Sequence, residues 1–281
     1  MATKSSPTLL RRRVARKLRR MREAANLTLA EAAPLLDKTR SALGRIENAE
    51  TVADVHLVRS MMDLYDQFDT DLLDLVRQAM RPGWWVAYGV RDRGFIGLET
   101  EASTSLDFQL MYVPGLLQTE AYMRAVFSTG KVGWSRKELE NQITARLIRQ
   151  KRLMDDTTPL ALTAIVDEAV LRKPVDGSPV MRAQLHHLFK ASQLETVTLQ
   201  VLPDSLGAHL GMDGAFTILE FADEEYPSLL YVEYPTGGVH VERPAEVREA
   251  KLIFDKLRSA ALPPQESAAF IERTADERYP S

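Results

Sequence analysis

Apolar residues at Leu10, Val14, Leu18, Met21 and Ala25 recur every three or four positions, the stripe of one amphipathic helix. Arg11, Arg12, Arg13, Arg16, Lys17, Arg19, Arg20 and Arg22 fill the remaining surface, so the stripe is expected to pack on a core while cations face outward. Asn26-Leu27 interrupts the pattern. Thr28-Leu29-Ala30-Glu31 then has the form of a capping box, which starts a second helix at about Leu29 with Ala32, Ala33, Leu35 and Leu36 available for packing. Asp37-Lys38 predicts a short turn and Thr39 the cap of a third helix. Its inward positions are Leu43 and Ile46; Arg40, Ser41, Gly44 and Arg45 are left outward. Val52 to Tyr65 and Thr70 to Met80 read as two more helices, with stripes Val55, Val58, Met62, Tyr65 and Leu72, Leu73, Val76, Met80. These methionines are read as core filler.

Arg81-Pro82-Gly83 predicts a helix stop and a domain boundary. Beyond it, alternation predicts strands at Ser105 to Tyr112, Leu160 to Val166, Thr196 to Leu202, Ala215 to Phe221 and Leu229 to Glu233. Helical periods lie between and after them, at Thr119 to Phe127, Ser135 to Met154, Pro179 to Ala191, Pro244 to Ser259 and Pro264 to Thr274. The expected architecture is an all-α five-helix domain over residues 1–80, then an α/β or α+β domain on one mixed sheet over residues 84–281. No internal repeat or long low-complexity linker is visible.

The 281 residues, 45% of them hydrophobic, can bury one large core or two smaller ones. No apolar run approaches the roughly 18 residues that span a bilayer, and the charged N-terminus lacks the apolar core of a signal peptide. A cytoplasmic, nucleoid-associated location is expected, with no membrane partner. The absence of cysteine excludes disulfides, thiolate metal sites and cysteine nucleophiles. The overall charge of -3 conceals an asymmetry. Residues 1–50 hold 12 Lys/Arg against 5 Asp/Glu, a net of +7, so the other 231 residues carry -10. A basic head on an acidic body indicates where a polyanion would dock; a solvated charged helix face is the plainer alternative.

Two helices joined by a short turn, the second presenting polar and basic side chains near its N-terminus, have the geometry that enters a major groove. Arginine pairs bidentately with guanine, which makes Arg40 and Arg45 the expected base readers. Arg16 and Arg20 on the first helix would supply sequence-blind, salt-dependent attraction to phosphate. Pro34, inside the second helix, predicts a bend there. Gly44 in a helix interior costs about 1 kcal/mol relative to Ala, offset either by close approach to the DNA sugar-phosphate surface or by tight helix packing.

The series Leu18-Arg19, Leu27-Thr28, Ala33, Leu36, Thr39-Arg40-Ser41, Leu43 and Arg45-Ile46-Glu47-Asn48 resembles, without a gap, the DNA-binding domain of Xre/Cro-type repressors. The resemblance implies that Thr28 and Thr39 lie at the DNA, that Thr39 contacts phosphate, that Arg40, Ser41 and Arg45 face base edges, and that Glu47 holds the end of the recognition helix. Ala49 stands where that family usually has glycine, and Asn48 is expected to take the left-handed turn in its place. Further on, Val113-Pro114-Gly115-Leu116-Leu117-Gln118-Thr119, with Tyr122 and the following Arg-Ala-Val, resembles the signature of the Scr1-like antitoxin group of actinobacterial regulators, which includes WhiJ-like members. Thr198 to Pro203 and Leu230 to Glu233 fit it too. The resemblance implies a transcriptional regulator paired with a small protein from a neighbouring gene. From the residues alone, the Pro-Gly string reads either as a fold-defining turn or as part of a binding site.

Catalysis is not expected. His186 and His187 are adjacent, so on a helix they point about 100° apart and cannot clamp one metal. Glu99 with Glu101, Asp167 with Glu168, and Asp223-Glu224-Glu225 read as solvated carboxylates. Gly207, Gly211 and Gly214 around His209 and Asp213 lack the lysine and strand-to-helix setting of a phosphate cradle, and no serine elbow is present. No cofactor or metal is expected. The expected partners are double-stranded DNA, a second copy of the chain as homodimer, and a small protein covering the second domain. A small effector entering an apolar pocket near Trp84, Trp85, Tyr88 and Tyr112 is the alternative to that small protein.

Overall fold

A computed structural model describes residues 7–90, 94–130, 135–223 and 226–280. They form two compact units, one running to Ala87 and including Gly94–Glu101, the other taking Tyr88 and everything from Ala102 onward. Glu224 and Glu225, expected as solvated carboxylates, lie outside the described residues.

The first unit is all-helical: α1 (Pro7–Ala24), α2 (Leu29–Leu35), α3 (Arg40–Glu47), α4 (Val55–Leu64), α5 (Thr70–Ala79) and α6 (Phe95–Glu101). Its core joins Leu10, Val14, Leu18 and Met21 of α1 to Ala32, Ala33 and Leu36, to Leu43 and Ile46, and to Val58, Met61, Met62, Leu72 and Val76. Side chains start four of these helices: Thr28 caps α2, Thr39 α3, Asp54 α4 and Asp69 α5, each accepting from an amide of the first turn. The Asp69 carboxyl also takes Lys17 Nζ at 2.7 Å, and that bond holds it below the usual carboxylate range.

Three packing expectations are corrected. Leu35 is exposed, because Ala32, Ala33 and Leu36 already occupy the inward arc of a short helix. Met80 follows α5 as its C-cap and is exposed; Met61 fills the core beside Met62. Arg22 is buried rather than part of the cationic surface. Pro34 sits in the last turn of α2, one residue from the helix end, where its missing amide matters least.

α1, α2, α3 and α4 share one way of stopping. A non-glycine residue at left-handed φ follows the C-cap: Asn26 (58°), Asp37 (52°), Ala49 (60°) and Asp66 (51°). Two amides then reach back, as Ala49 N donates to Ile46 O (3.0 Å) and Glu50 N to Arg45 O (2.8 Å), the Schellman pattern. Asn48, expected to take this turn, has φ of -93°. Glu47 is still helical, so the reversal falls one residue later than expected.

The second unit holds β1 (Thr104–Gln109), α7 (Glu120–Gly130), α8 (Arg136–Gln150), β2 (Ala161–Asp167), α9 (Glu168–Arg172), α10 (Ser178–Ala191), β3 (Val197–Leu202), β4 (Phe216–Glu220), β5 (Leu229–Tyr234), β6 (Gly237–Val241), α11 (Pro244–Ala260) and α12 (Pro264–Arg278). One mixed sheet runs in the order β3-β2-β1-β4-β5-β6. β1, β2 and β3 are parallel, linked by helices, and the remaining strands are antiparallel. Phe108 is in register with Ile165 on one side and Phe216 on the other. With Leu202 and Ile218, Phe108 and Ile165 bury one face of the sheet against Phe254 and Leu257 of α11. Both the helical head and the mixed-sheet second domain are therefore as expected.

The two margins of the sheet differ. At β3, Val201 N donates to Ser267 Oγ and Leu262 N to Val201 O, each at 2.9 Å, so the chain around the start of α12 closes that side. β6 is the margin on the other side, and it was not anticipated: Gly237-Gly238 carries no strand propensity. α6 and α9 are likewise additions, the second a single five-residue helix.

The Pro-Gly string is consumed by the fold. Val113 N donates to Tyr122 Oη (3.2 Å) and Gln118 Nε2 to Val113 O (2.7 Å). Gln184 accepts from Thr119 N and donates to Leu117 O, both at 2.7 Å; Gln150 Nε2 donates to Gln118 O at 2.7 Å. Gln118 and Gln184 are buried. Of the two readings left open for this string, the turn that defines the fold is the one these bonds describe.

Candidate nucleic-acid interface

The interface is assembled from α2, the turn after it, and α3. Thr28 Oγ1 accepts from Glu31 N at 3.3 Å while Thr28 N donates to Glu31 Oε2 at 2.8 Å, so the capping box is complete. The same hydroxyl and amide hold the Glu31 carboxyl below its ordinary range. The turn is fixed by Lys38 N donating to Ala33 O (2.9 Å) and closes at Thr39, whose Oγ1 accepts from Ala42 N at 3.1 Å.

Successive residues of α3 are about 100° apart around its axis. Leu43 and Ile46 therefore share the buried side, and Arg40, Gly44, Ser41 and Arg45 lie within an arc of roughly 140° on the other. Arg40, Ser41 and Arg45 are exposed, and Gly44 is half-buried. Among the described residues, no ion pair or hydrogen bond ties down the side chain of Arg40 or Arg45.

Beneath this face lies one buried ion pair. Arg22 Nε and Nη2 donate to the two carboxylate oxygens of Glu47, each at 2.7 Å, and Nη1 donates to Leu27 O at 2.6 Å. The last residue of α3 is thereby fixed to the end of α1 and to the loop that leads into α2. The hydrogen bond to Glu47 raises the Arg22 pKa further, so the guanidinium stays charged. Burial pushes the neighbouring Tyr65 hydroxyl up to about 12, which keeps it neutral beside the pair. The role that the repressor resemblance gives Glu47 thus has a structural counterpart in a partner 25 positions away.

The cations of α1 divide into two sets. Arg11 Nε donates to Ala79 O (3.0 Å), Lys17 pairs with Asp69, and Arg22 is internal, so these three serve the fold. Arg16 is half-buried and Arg20 exposed. Neither adjoins α3 in sequence, and their value to a polyanion would be charge rather than readout.

The other candidate residues fall elsewhere. Trp84 and Trp85 belong to the first unit and meet edge to face, with ring centroids 5.9 Å apart. Trp85 is buried, and Trp84 Nε1 donates to Thr100 Oγ1 at 3.2 Å. Tyr88, half-buried, and Tyr112, exposed, belong to the second. The carboxylates read as solvated are partly engaged: Glu99 is buried, Asp167 caps α9 and lies 3.4 Å from His209 Nε2, and Glu168 accepts from Asp204 N at 2.9 Å. Adjacency in sequence hid these roles, because each partner comes from another segment. Burial also lowers the His187 pKa. No described helix is long and apolar enough to cross a membrane.

Residues 13–76 match the family model described as a helix-turn-helix domain, a span from α1 into α5 that contains the whole interface. Residues 92–273 match the model described as a domain of unknown function, DUF5753. No curated protein and no solved structure matches the chain.

Proposed function

This chain belongs to the DUF5753 family, and from that premise, with a helix-turn-helix domain in front, we propose that it is a sequence-specific transcriptional regulator of the Xre type. One observation carries the reading: Arg40, Ser41 and Arg45 are exposed together on a short helix whose base is fixed internally by Arg22 and Glu47. In this reading Thr39 and Thr28 sit against phosphate, Arg40 and Arg45 read base edges, and Arg16 and Arg20 add attraction blind to sequence. The protein works at the nucleoid, in the cytoplasm, and performs no catalysis.

One recognition helix reads too few base pairs to be selective in a genome, so the working form is a homodimer on half-sites about 34 Å apart or a multiple of that. The second unit binds a small protein encoded nearby, as in the antitoxin-like actinobacterial regulators that the Val113–Thr119 string resembles. The test begins by footprinting the purified chain on genomic DNA. Arg45→Ala is expected to weaken the recovered site by roughly 1–3 kcal/mol while sparing random duplex. Equal losses on both would remove Arg45 as a base reader. Replacing Arg20 is expected to weaken all duplexes alike and to flatten the salt slope by about one per lost phosphate contact.

A further inference from the structure

Gly44 occupies the middle of an eight-residue helix, where glycine is among the least favourable choices. The usual reasons for such a glycine are a left-handed backbone or a crowding neighbour, and neither applies here. Its conformation is that of the surrounding helix. A Cβ built on it would meet only Leu29 Cδ1, at 3.9 Å, which is ordinary contact. Three other glycines show what real crowding looks like. A Cβ at Gly83 would lie 2.3 Å from the Trp85 ring, at Gly211 2.3 Å from the Phe108 ring, and at Gly238 2.3 Å from Tyr231 Oη. Tight helix packing, one of the two explanations open from the sequence, is therefore removed. The fold has room for a side chain at Gly44 and would be steadier with one.

Gly44 lies between Arg40 and Ser41 on the exposed arc of α3, beside the first residue of α2. We infer that Gly44 is a clearance position: the sugar-phosphate edge of duplex DNA seats in the notch between α3 and the start of α2, against backbone left bare by the missing side chain. This deepens the regulator reading and rests on it. The chemistry is contact, not readout. Close-packed apolar CH groups of the sugar meet the Cα, and the Thr28 end of α2 borders the same notch.

The test uses the full chain and a duplex that the wild-type protein selects from a randomised pool. Gly44→Ala is expected to raise the midpoint of thermal unfolding by about 2–8 °C. The same variant is expected to bind the selected duplex on the order of 5–150-fold more weakly, the fold-change matching an overpacked contact. Random duplex should lose affinity by a similar factor, because a backbone contact is blind to sequence. Gly44→Leu, which extends further outward, should bind more weakly still. The inference is overturned if Gly44→Ala binds as the wild type does, if it lowers stability, or if it loses only the selected duplex, which would place a base edge in the notch. A wild-type chain that selects no duplex removes the regulator reading instead, and this inference with it.

Discussion

Two stretches of this chain are equally conspicuous as sequence, Leu27 to Glu50 and Tyr112 to Thr119, and the fold uses them in opposite ways. In the first, polar side chains either cap a helix or point outward, and a single internal ion pair sets the helix that carries them. In the second, polar side chains turn inward and satisfy the backbone of a Pro-Gly turn, through Gln118, Gln150, Gln184 and Tyr122. A motif shows that a segment is constrained. Only burial shows whether the constraint comes from the protein itself or from something that arrives. The exposed arginines of α3 leave their hydrogen-bonding capacity for a ligand; the buried glutamines have already used theirs.

Three changes separate the two modes, in decreasing order of effect. Glu47→Ala leaves the Arg22 charge buried and unpaired, so a loss of about 3–5 kcal/mol is expected in urea unfolding, together with loss of DNA binding. A loss below about 1 kcal/mol would show that the head does not rest on this pair. Gln184→Ala strips partners from the Thr119 amide and the Leu117 carbonyl, each of which lies in or beside the buried turn. A loss of roughly 1–3 kcal/mol is expected, with DNA affinity unchanged well below the melting temperature. Altered DNA affinity there would break the contrast, since it would make the inward network part of the outward function. Smallest is Ala49→Gly, which relieves left-handed strain at the end of α3. A gain of about 0.5–1 kcal/mol is expected, with operator binding at least as tight as before.

Local signals in the sequence were legible where the physics is local. The capping threonines Thr28 and Thr39 declare themselves within three residues, and the helix starts fall where they predict. The alternation around Phe108, Ile165, Leu199 and Ile218 places five strands, since each is buried on a sheet face. What stayed hidden depends on partners far along the chain. Nothing near Arg22 distinguishes it from Arg19 or Arg20; its burial comes from Glu47, and its neighbours' exposure from having no such partner. Leu35 reads as core until the helix turns out too short to give it an inward position. β6 is built from Gly237-Gly238-Val239, which no propensity would choose, and exists because β5 offers it a ladder after a tight turn. Ala49 takes the left-handed site because α3 runs through Glu47, so helix length outranks the preference for Asn48.

The Leu262–Ser267 segment gives the sheet a finished side and an unfinished one. Ser267 hydroxyl and Leu262 amide occupy Val201 much as a seventh strand would, so the last helix acts as a hem on the parallel half of the molecule. A polypeptide trimmed ahead of that serine would present bare backbone on both flanks, and filament-like stacking of sheets would become open to it. The residues after Pro263 therefore guard solubility as much as shape.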